Sequence, residues 1–389
     1  MRDIRELFPT DDPVRPELLI GRGEDVRDLA ARLGEGTHMV MAGPRRTGKS
    51  TVGLAALARV RSTGAYTAHV DLWDHEDLAS LARAMAQSII ANRSPVAKAL
   101  SRARDTGRGL RELLPAGVTA SLRTHLGEDV ELAWNAPTTG SRSAASLGAT
   151  VRLAQRIAEQ DGKRVVLFLD EFQDIAAAPH RFGDPDVLTK QLRAHLQRSP
   201  LVSVLFAGSM EHLMRDLFGP ARRALSQFGN FHELTPISPR EWEDGIVARY
   251  DELDLQAAEG AVAEIVALGE GHPRTTMLIA RETLTIALAG NGDRTVEHGD
   301  VRGGHELAMQ ADRLRHEEIV QRLRSTAHAY PIAVRLARGQ RPYSGTASSG
   351  ARRALSAMER AGIAEHHGRG DWTIPEPLLR RYLAARGSE

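Results

Sequence analysis

The stretch GPRRTGKS, residues 43–50, governs the reading of everything around it. It fits the pattern G-x-x-x-x-G-K-[ST], in which a glycine-rich turn points successive backbone N–H groups at an anion and the next helix adds the positive end of its dipole. Its flanks suit that role. THMVMAG (37–43) is a short apolar run ending in glycine, as a strand would, and STVGLAALARV (50–60) places apolar residues at helical spacing. The expectation is a loop in which Gly43, Pro44, Arg45, Arg46, Thr47 and Gly48 wrap a β-phosphate. Lys49 then reaches the β- and γ-oxygens, Ser50 ligates Mg²⁺ and Thr51 lies near the α-phosphate. Such a loop serves motors, switches, kinases and passive nucleotide holders alike, so its purpose has to come from the rest of the chain.

Mg²⁺ opposite Ser50 calls for a carboxylate at the end of a neighbouring strand. KRVVLFLDEFQDI (163–175) is a continuous apolar run that stops at two acids, the pattern of a buried parallel strand. Asp170 takes the metal role. Glu171 is in position to orient or deprotonate the attacking water, which favours hydrolysis over passive holding. The plainer alternative is a pair of solvated acids at a strand end. Further runs, AYTAHVDLW (65–73), LVSVLFAGS (201–209) and FHELTPIS (231–238), alternate with helix-like segments and give a doubly wound parallel α/β sheet over about 240 residues. Residues 94–146 are less regular, and GVTASL with DVELAW suggests an inserted hairpin.

At 389 residues the chain is long for one core, and its net charge of +1 points to no particular class of partner. The distribution says more. From Asp312 to Glu389 there are fourteen arginines and no lysine against eight acidic residues, a local charge of +6 that leaves −5 for the remainder. Only four lysines occur among the 51 basic residues, so Lys49 stands out. The absence of cysteine excludes disulfides and thiolate metal sites and fits a reducing cytoplasm. No run approaches ~18 apolar residues, and MRDIRELFPTDD lacks the apolar core of a secretion signal, so a cytoplasmic protein without a membrane partner is expected.

Together, GPRRTGKS, LFLDEFQDI, VLFAGSM and the upstream LIGRGEDVRDLAARL resemble the archaeal-type ATPases of the STAND group, relatives of AAA+ proteins. The resemblance covers about residues 15–290 closely and continues loosely to the end. It implies a P-loop ATPase core over 1–238 carrying the 94–146 insertion, a helical lid over 239–311 and a winged helix over 312–389. Gly21, Arg22 and Glu24 match the family's segment beside the adenine, and Gly271, His272 and Pro273 match its G-x-P helix start. Ser209 falls where the family has a polar sensor, although a serine there is also a common helix cap. Arg274, next to Pro273, is placed to sense the γ-phosphate or is a surface arginine. The family's Y-G-R is absent, since the chain reads FGNF at 228–231, which puts a cis arginine in doubt despite Arg222 and Arg223 nearby.

In the tail, helical spacing at Ala354, Leu355, Met358 and Ile363, then IAEHH and DWTIP around the turn GRG, follows the order of a winged helix. Its recognition helix would run from Ser348 to Ala361 and present Arg352, Arg353 and Arg360, with Arg369 at the wing tip. These suit the phosphates of double-stranded DNA, but winged helices also bind protein partners or act in self-association. Two functions follow. One is an ATP- and Mg²⁺-dependent ATPase of slow turnover, acting as a switch or remodeller on DNA. The other is a slowly hydrolysing signalling scaffold whose winged helix holds a protein.

Overall fold

A computed structural model describes residues 4–10, 15–43, 47–92, 141–219, 223–290, 294–344, 348–368 and 370–386. The elements in chain order are α1 (Ile4–Leu7), α2 (Gly23–Glu35), β1 (Met39–Ala42), α3 (Lys49–Ser62), β2 (Tyr66–Asp71), α4 (Leu78–Ile90), α5 (Ser141–Asp161), β3 (Val165–Asp170), α6 (Asp174–Ala177), α7 (Pro179–Phe182), α8 (Pro185–Leu196), β4 (Val202–Gly208), α9 (Glu211–Phe218) and β5 (Asn230–His232). There follow α10 (Pro239–Asp251), β6 (Gln256–Ala257), α11 (Ala261–Gly269), α12 (Pro273–Ala289), β7 (Thr295–Val296), α13 (His298–Ala311), α14 (Arg313–Ser325), α15 (Ala329–Ala337), α16 (Ser348–Arg360), β8 (Glu365–Gly368), β9 (Asp371–Thr373) and α17 (Pro377–Arg386). The chain separates into two compact units, one of residues 24–43 and 49–234, the other of residues 1–23, 44–48 and 235–389.

The first unit is a five-stranded parallel sheet in the order β2-β3-β4-β1-β5. β3 and β4 are buried along their whole length, which is why they read as unbroken apolar runs. Alternate residues serve opposite faces. Val166 and Phe168 pack with Leu29, Leu33, Val52 and Ala56 of α2 and α3, whereas Val165, Leu167 and Leu169 pack with Leu81, Met85, Leu153 and Ile157 of α4 and α5. α3 approaches closely through Gly53, where an added Cβ would lie 2.5 Å from the Phe168 ring. β5 is shorter than the run 231–238, because the chain leaves β1 after His232, whose ring pairs with Asp25 at 2.9 Å and Asp28 at 3.3 Å on α2. The proposed hairpin in 94–146 falls largely outside the described residues. Within that range α5 begins at Ser141.

Among the described residues β2 is the outermost strand on its side, and side chains of α4 and of the turn after it occupy its open flank. The Asn92 carboxamide accepts from the Thr67 N–H at 3.0 Å and donates to the Thr67 carbonyl at 3.0 Å, while the Ser88 hydroxyl accepts from the His69 N–H at 3.3 Å.

In the second unit, α10 to α13 and the two-residue parallel pair β6–β7 gather around Trp242, Tyr250, Ile265, Leu278 and Leu284. Leu7, Phe8, Leu18 and Ile20 join this core, so the N-terminal residues pack with the helical segment and not with the sheet. α14, α15 and α16 with the antiparallel hairpin β8–β9 and α17 enclose a separate core of Ile332, Leu355, Met358, Ile374 and Leu383. Three helices followed by a hairpin is the winged-helix arrangement expected for the tail. Its third helix runs from Ser348 to Arg360, close to the bounds read from the sequence.

Candidate functional site

Parallel strands deliver their C-terminal ends to one edge of the sheet, and side chains at that edge form the site. Lys49, first residue of α3, is buried and its Nζ donates to the Gly43 carbonyl at 2.7 Å. Ser50 donates its hydroxyl to the carboxylate of Asp170, itself only 2% exposed at the end of β3. Burial pushes the Asp170 pKa up, and the neighbouring Glu171 adds to the rise against the Ser50 hydrogen bond. A buried carboxylate with a hydroxyl beside it offers hard oxygen donors at one point, a set that fits Mg²⁺. Thr51 is buried one residue further along α3. Thr47 and Gly48 are described, whereas Pro44, Arg45 and Arg46 lie outside the described residues.

Glu171 follows Asp170 with φ +49°, in the left-handed region that non-glycine residues seldom adopt. Its N–H donates to Asp170 Oδ1 at 3.0 Å, and its Oε2 accepts from Ser209 Oγ at 2.6 Å and from Gln173 Nε2 at 2.5 Å. Ser209, just beyond β4, therefore turns its hydroxyl to Glu171, and the N-cap of α9 is Met210 without a side-chain cap bond.

Two residues at this edge escaped the sequence reading. Asp71 ends β2 in register with Asp170, and its pKa is pushed up to about 6, mainly by burial, with Asp170 and Glu171 adding to the rise and the Trp73 N–H opposing it. The signal was present, since AYTAHVDLW also carries an acid where its apolar run ends. The other is Gln173, fully buried, whose bond to the Ser209 N–H just beyond β4 cannot be inferred from local pattern.

In the second unit Arg22 is buried and donates to the carbonyls of Thr235 at 2.6 Å and Thr47 at 3.4 Å. Gly21 has φ +61°, and a Cβ there would stand 2.5 Å from Ile237 Cγ2. Pro273 opens α12 behind a His272 cap whose ring accepts from the Thr275 N–H at 3.2 Å. Arg274 is not a surface residue. It is 8% exposed and grips Asp312 through two hydrogen bonds of 2.5 and 2.8 Å. Arg315 bridges Asp312 at 2.7 Å and also bonds Glu376. Burial opposes the charge on Asp312, yet the two guanidinium groups outweigh it and hold the pKa below the ordinary carboxylate value.

Asp312, His316 and Glu376 come close enough to share a cation, but Arg274 and Arg315 already neutralise both carboxylates there. Arg223 is paired with Asp186 and Asp216 at 2.9 and 2.6 Å, and Arg222 lies outside the described residues. On α16, Ala351, Ala354, Leu355 and Met358 face inward while Arg352, Arg353 and Arg360 are exposed within an arc of about 100°. Arg369 lies outside the described residues.

No family model matches the sequence, and no curated protein matches it. Solved structures do. The Walker-type ATPase of Pyrococcus abyssi matches with a TM-score of 0.68 at 18% identity, over 97% of this chain and 99% of that one. The Aeropyrum pernix ORC2 protein, in its ADPNP–ADP complexes, matches at 0.57 and 16% identity over 100% and 99%. The Aeropyrum pernix ORC1 protein in complex with DNA matches at 0.53 and 19% identity over 99% and 97%. The chain thus shares the fold of these proteins, a parallel α/β sheet followed by a helical segment and a winged helix. No helix among the described residues is long and apolar enough to cross a membrane.

Proposed function

We propose that the chain binds ATP with Mg²⁺ and hydrolyses it slowly, as a nucleotide-dependent switch or remodeller that engages duplex DNA through its winged helix. The observation that carries this reading is the arrangement of Ser50 against buried Asp170 with Glu171 fixed beside them by Ser209. Lys49 Nζ donates to the Gly43 carbonyl, a contact that phosphate oxygens would take over on nucleotide binding. Ser50 and Asp170 would hold Mg²⁺, which supplies charge neutralisation on the transferring phosphoryl group. Glu171, at the strand end beyond Asp170, accepts the proton of the attacking water on Oε1, the oxygen not engaged by Ser209 and Gln173. The DNA part is supported by the exposed arginines of α16 and by the likeness to ORC1, a protein whose structure contains DNA.

Titration with a fluorescent ATP analogue tests the site, and turnover with and without duplex DNA tests the role. Lys49→Ala loses nucleotide affinity. Glu171→Gln keeps it while turnover falls by roughly 10²- to 10⁴-fold, the usual size of a general-base contribution. A drop smaller than about threefold would remove Glu171 from the chemistry. Turnover indifferent to DNA, with no duplex affinity, would favour a scaffold that binds protein.

A further inference from the structure

We propose that Gln173 is a positioning residue for hydrolysis, the part that aims the Glu171 carboxylate; this rests on the reading of Glu171 as the base. The Gln173 side chain is wholly buried, and both ends of its carboxamide are hydrogen-bonded. Its Nε2 donates to Glu171 Oε2 at 2.5 Å and to Asp174 Oδ1 at 3.3 Å, and its Oε1 accepts from the Ser209 N–H at 3.1 Å. The orientation of the carboxamide is fixed by its partners: carboxylates only accept and a backbone N–H only donates, so the flipped amide would meet repulsion at all three contacts.

The amide is held from behind as well. Asp174 is paired through Oδ2 with Arg181 at 3.1 Å, and Arg181 is in turn anchored on the carbonyls of Leu72, Trp73 and His75. Gly208 at the end of β4 makes room, since a Cβ there would stand 2.6 Å from Gln173 Oε1. Planar and clamped on three sides, the carboxamide presents one N–H to Glu171 in a fixed direction. Together with Ser209 Oγ it places two donors on the same carboxylate oxygen. Oε1 then has no hydrogen-bond partner among the described residues and is left for water.

Left-handed backbone at Glu171 fits this account. A non-glycine residue there stores strain of order 1 kcal/mol or more and persists where the surroundings over-determine the geometry. The Gln173 amide and the Ser209 hydroxyl are the groups that do so for its side chain. A purely structural staple between the ends of β3 and β4 would use the same Ser209 N–H contact but would have no need of the bond to Glu171.

The test is steady-state ATP turnover with Mg²⁺ in the full chain. Gln173→Met keeps the volume and removes the donor. The proposal expects kcat to fall by about 10- to 100-fold, as expected when a catalytic group loses its aim, with the affinity for ATP analogue unchanged. In a Glu171→Gln background, adding Gln173→Met should change the residual rate by less than about twofold, since residues that act as a unit are not additive. Gln173→Glu has nearly the same shape and remains informative should Gln173→Met not fold. It sets a third carboxyl against Glu171 and Asp174, so its kcat relative to the parent should recover as pH falls and a proton is shared.

A Gln173→Met kcat within twofold of the parent, equal losses in both backgrounds, or a Gln173→Glu profile parallel to the parent's would each overturn the proposal. Failure of the base reading shows separately, as a Glu171→Gln enzyme that still turns over.

Discussion

Replacing Arg274 by alanine separates a nucleotide contact from a structural one, because the two roles fail in different assays. The guanidinium is 8% exposed and forms two hydrogen bonds to Asp312. Removing one partner of a buried pair costs about 3–5 kcal/mol, chiefly because the other charge stays buried without compensation. Asp312 would retain Arg315 at 2.7 Å, which places Arg274→Ala at the lower end, about 3 kcal/mol. Asp312→Ala should cost more, since both Arg274 and Arg315 would lose the carboxylate they share. For a unit of this size roughly 2–4 °C accompany each kcal/mol, so the Arg274→Ala midpoint should drop by about 6–12 °C. Thermal unfolding followed by circular dichroism reads this, and ATP and ADP titrations on the same variant read the alternative. A variant with an unshifted midpoint that no longer prefers ATP over ADP would refute the argument and return Arg274 to the γ-phosphate.

Two further predictions concern other parts of the chain. His38 lies before β1, stacks on Phe228 and accepts the Val204 N–H on Nδ1, and burial lowers its pKa from 6.5 to about 4. The folded value lies below the unfolded one, so the stability contributed by neutral His38 is present above pH 6.5 and is lost as pH falls toward 4, about 3 kcal/mol in all. His38→Gln should flatten the fall in midpoint over that window, and an unchanged fall would show that other groups cause it. At the winged helix, Arg352→Ala with Arg353→Ala should flatten the log–log salt dependence of duplex binding by about 2, at roughly 0.9 per phosphate contact. A double variant that binds as well as the parent would remove α16 from any DNA interface.

The sheet was legible because β3 and β4 are buried on both faces and so carry unbroken apolar runs, and because GPRRTGKS requires a strand before it and a helix after it. That Lys49, Ser50 and Asp170 come to one edge of the sheet was legible for the same reason: loops and strand ends are local. What escaped depends on partners far along the chain. Gln173 meets Ser209 36 residues away and Arg274 meets Asp312 38 residues away, and in neither case does the local sequence distinguish the residue from a solvated one. The packing of Leu7, Phe8, Leu18 and Ile20 with the helical segment was hidden likewise, since four apolar side chains in a short leader carry no address.

The open flank of β2, taken up at Thr67 by Asn92 and at His69 by Ser88, has a consequence for how the protein behaves in a crowded cell. An outer strand is a template on which a foreign strand stacks, and from such a seed aggregates grow. Here the two backbone positions that would start that stacking are already satisfied by side chains of α4 and of the turn that follows it, one serine and one asparagine. Exchanging Asn92 and Ser88 for apolar residues would uncover those backbone groups and convert a quiet border into a seed, a change read as aggregation and not as lost turnover.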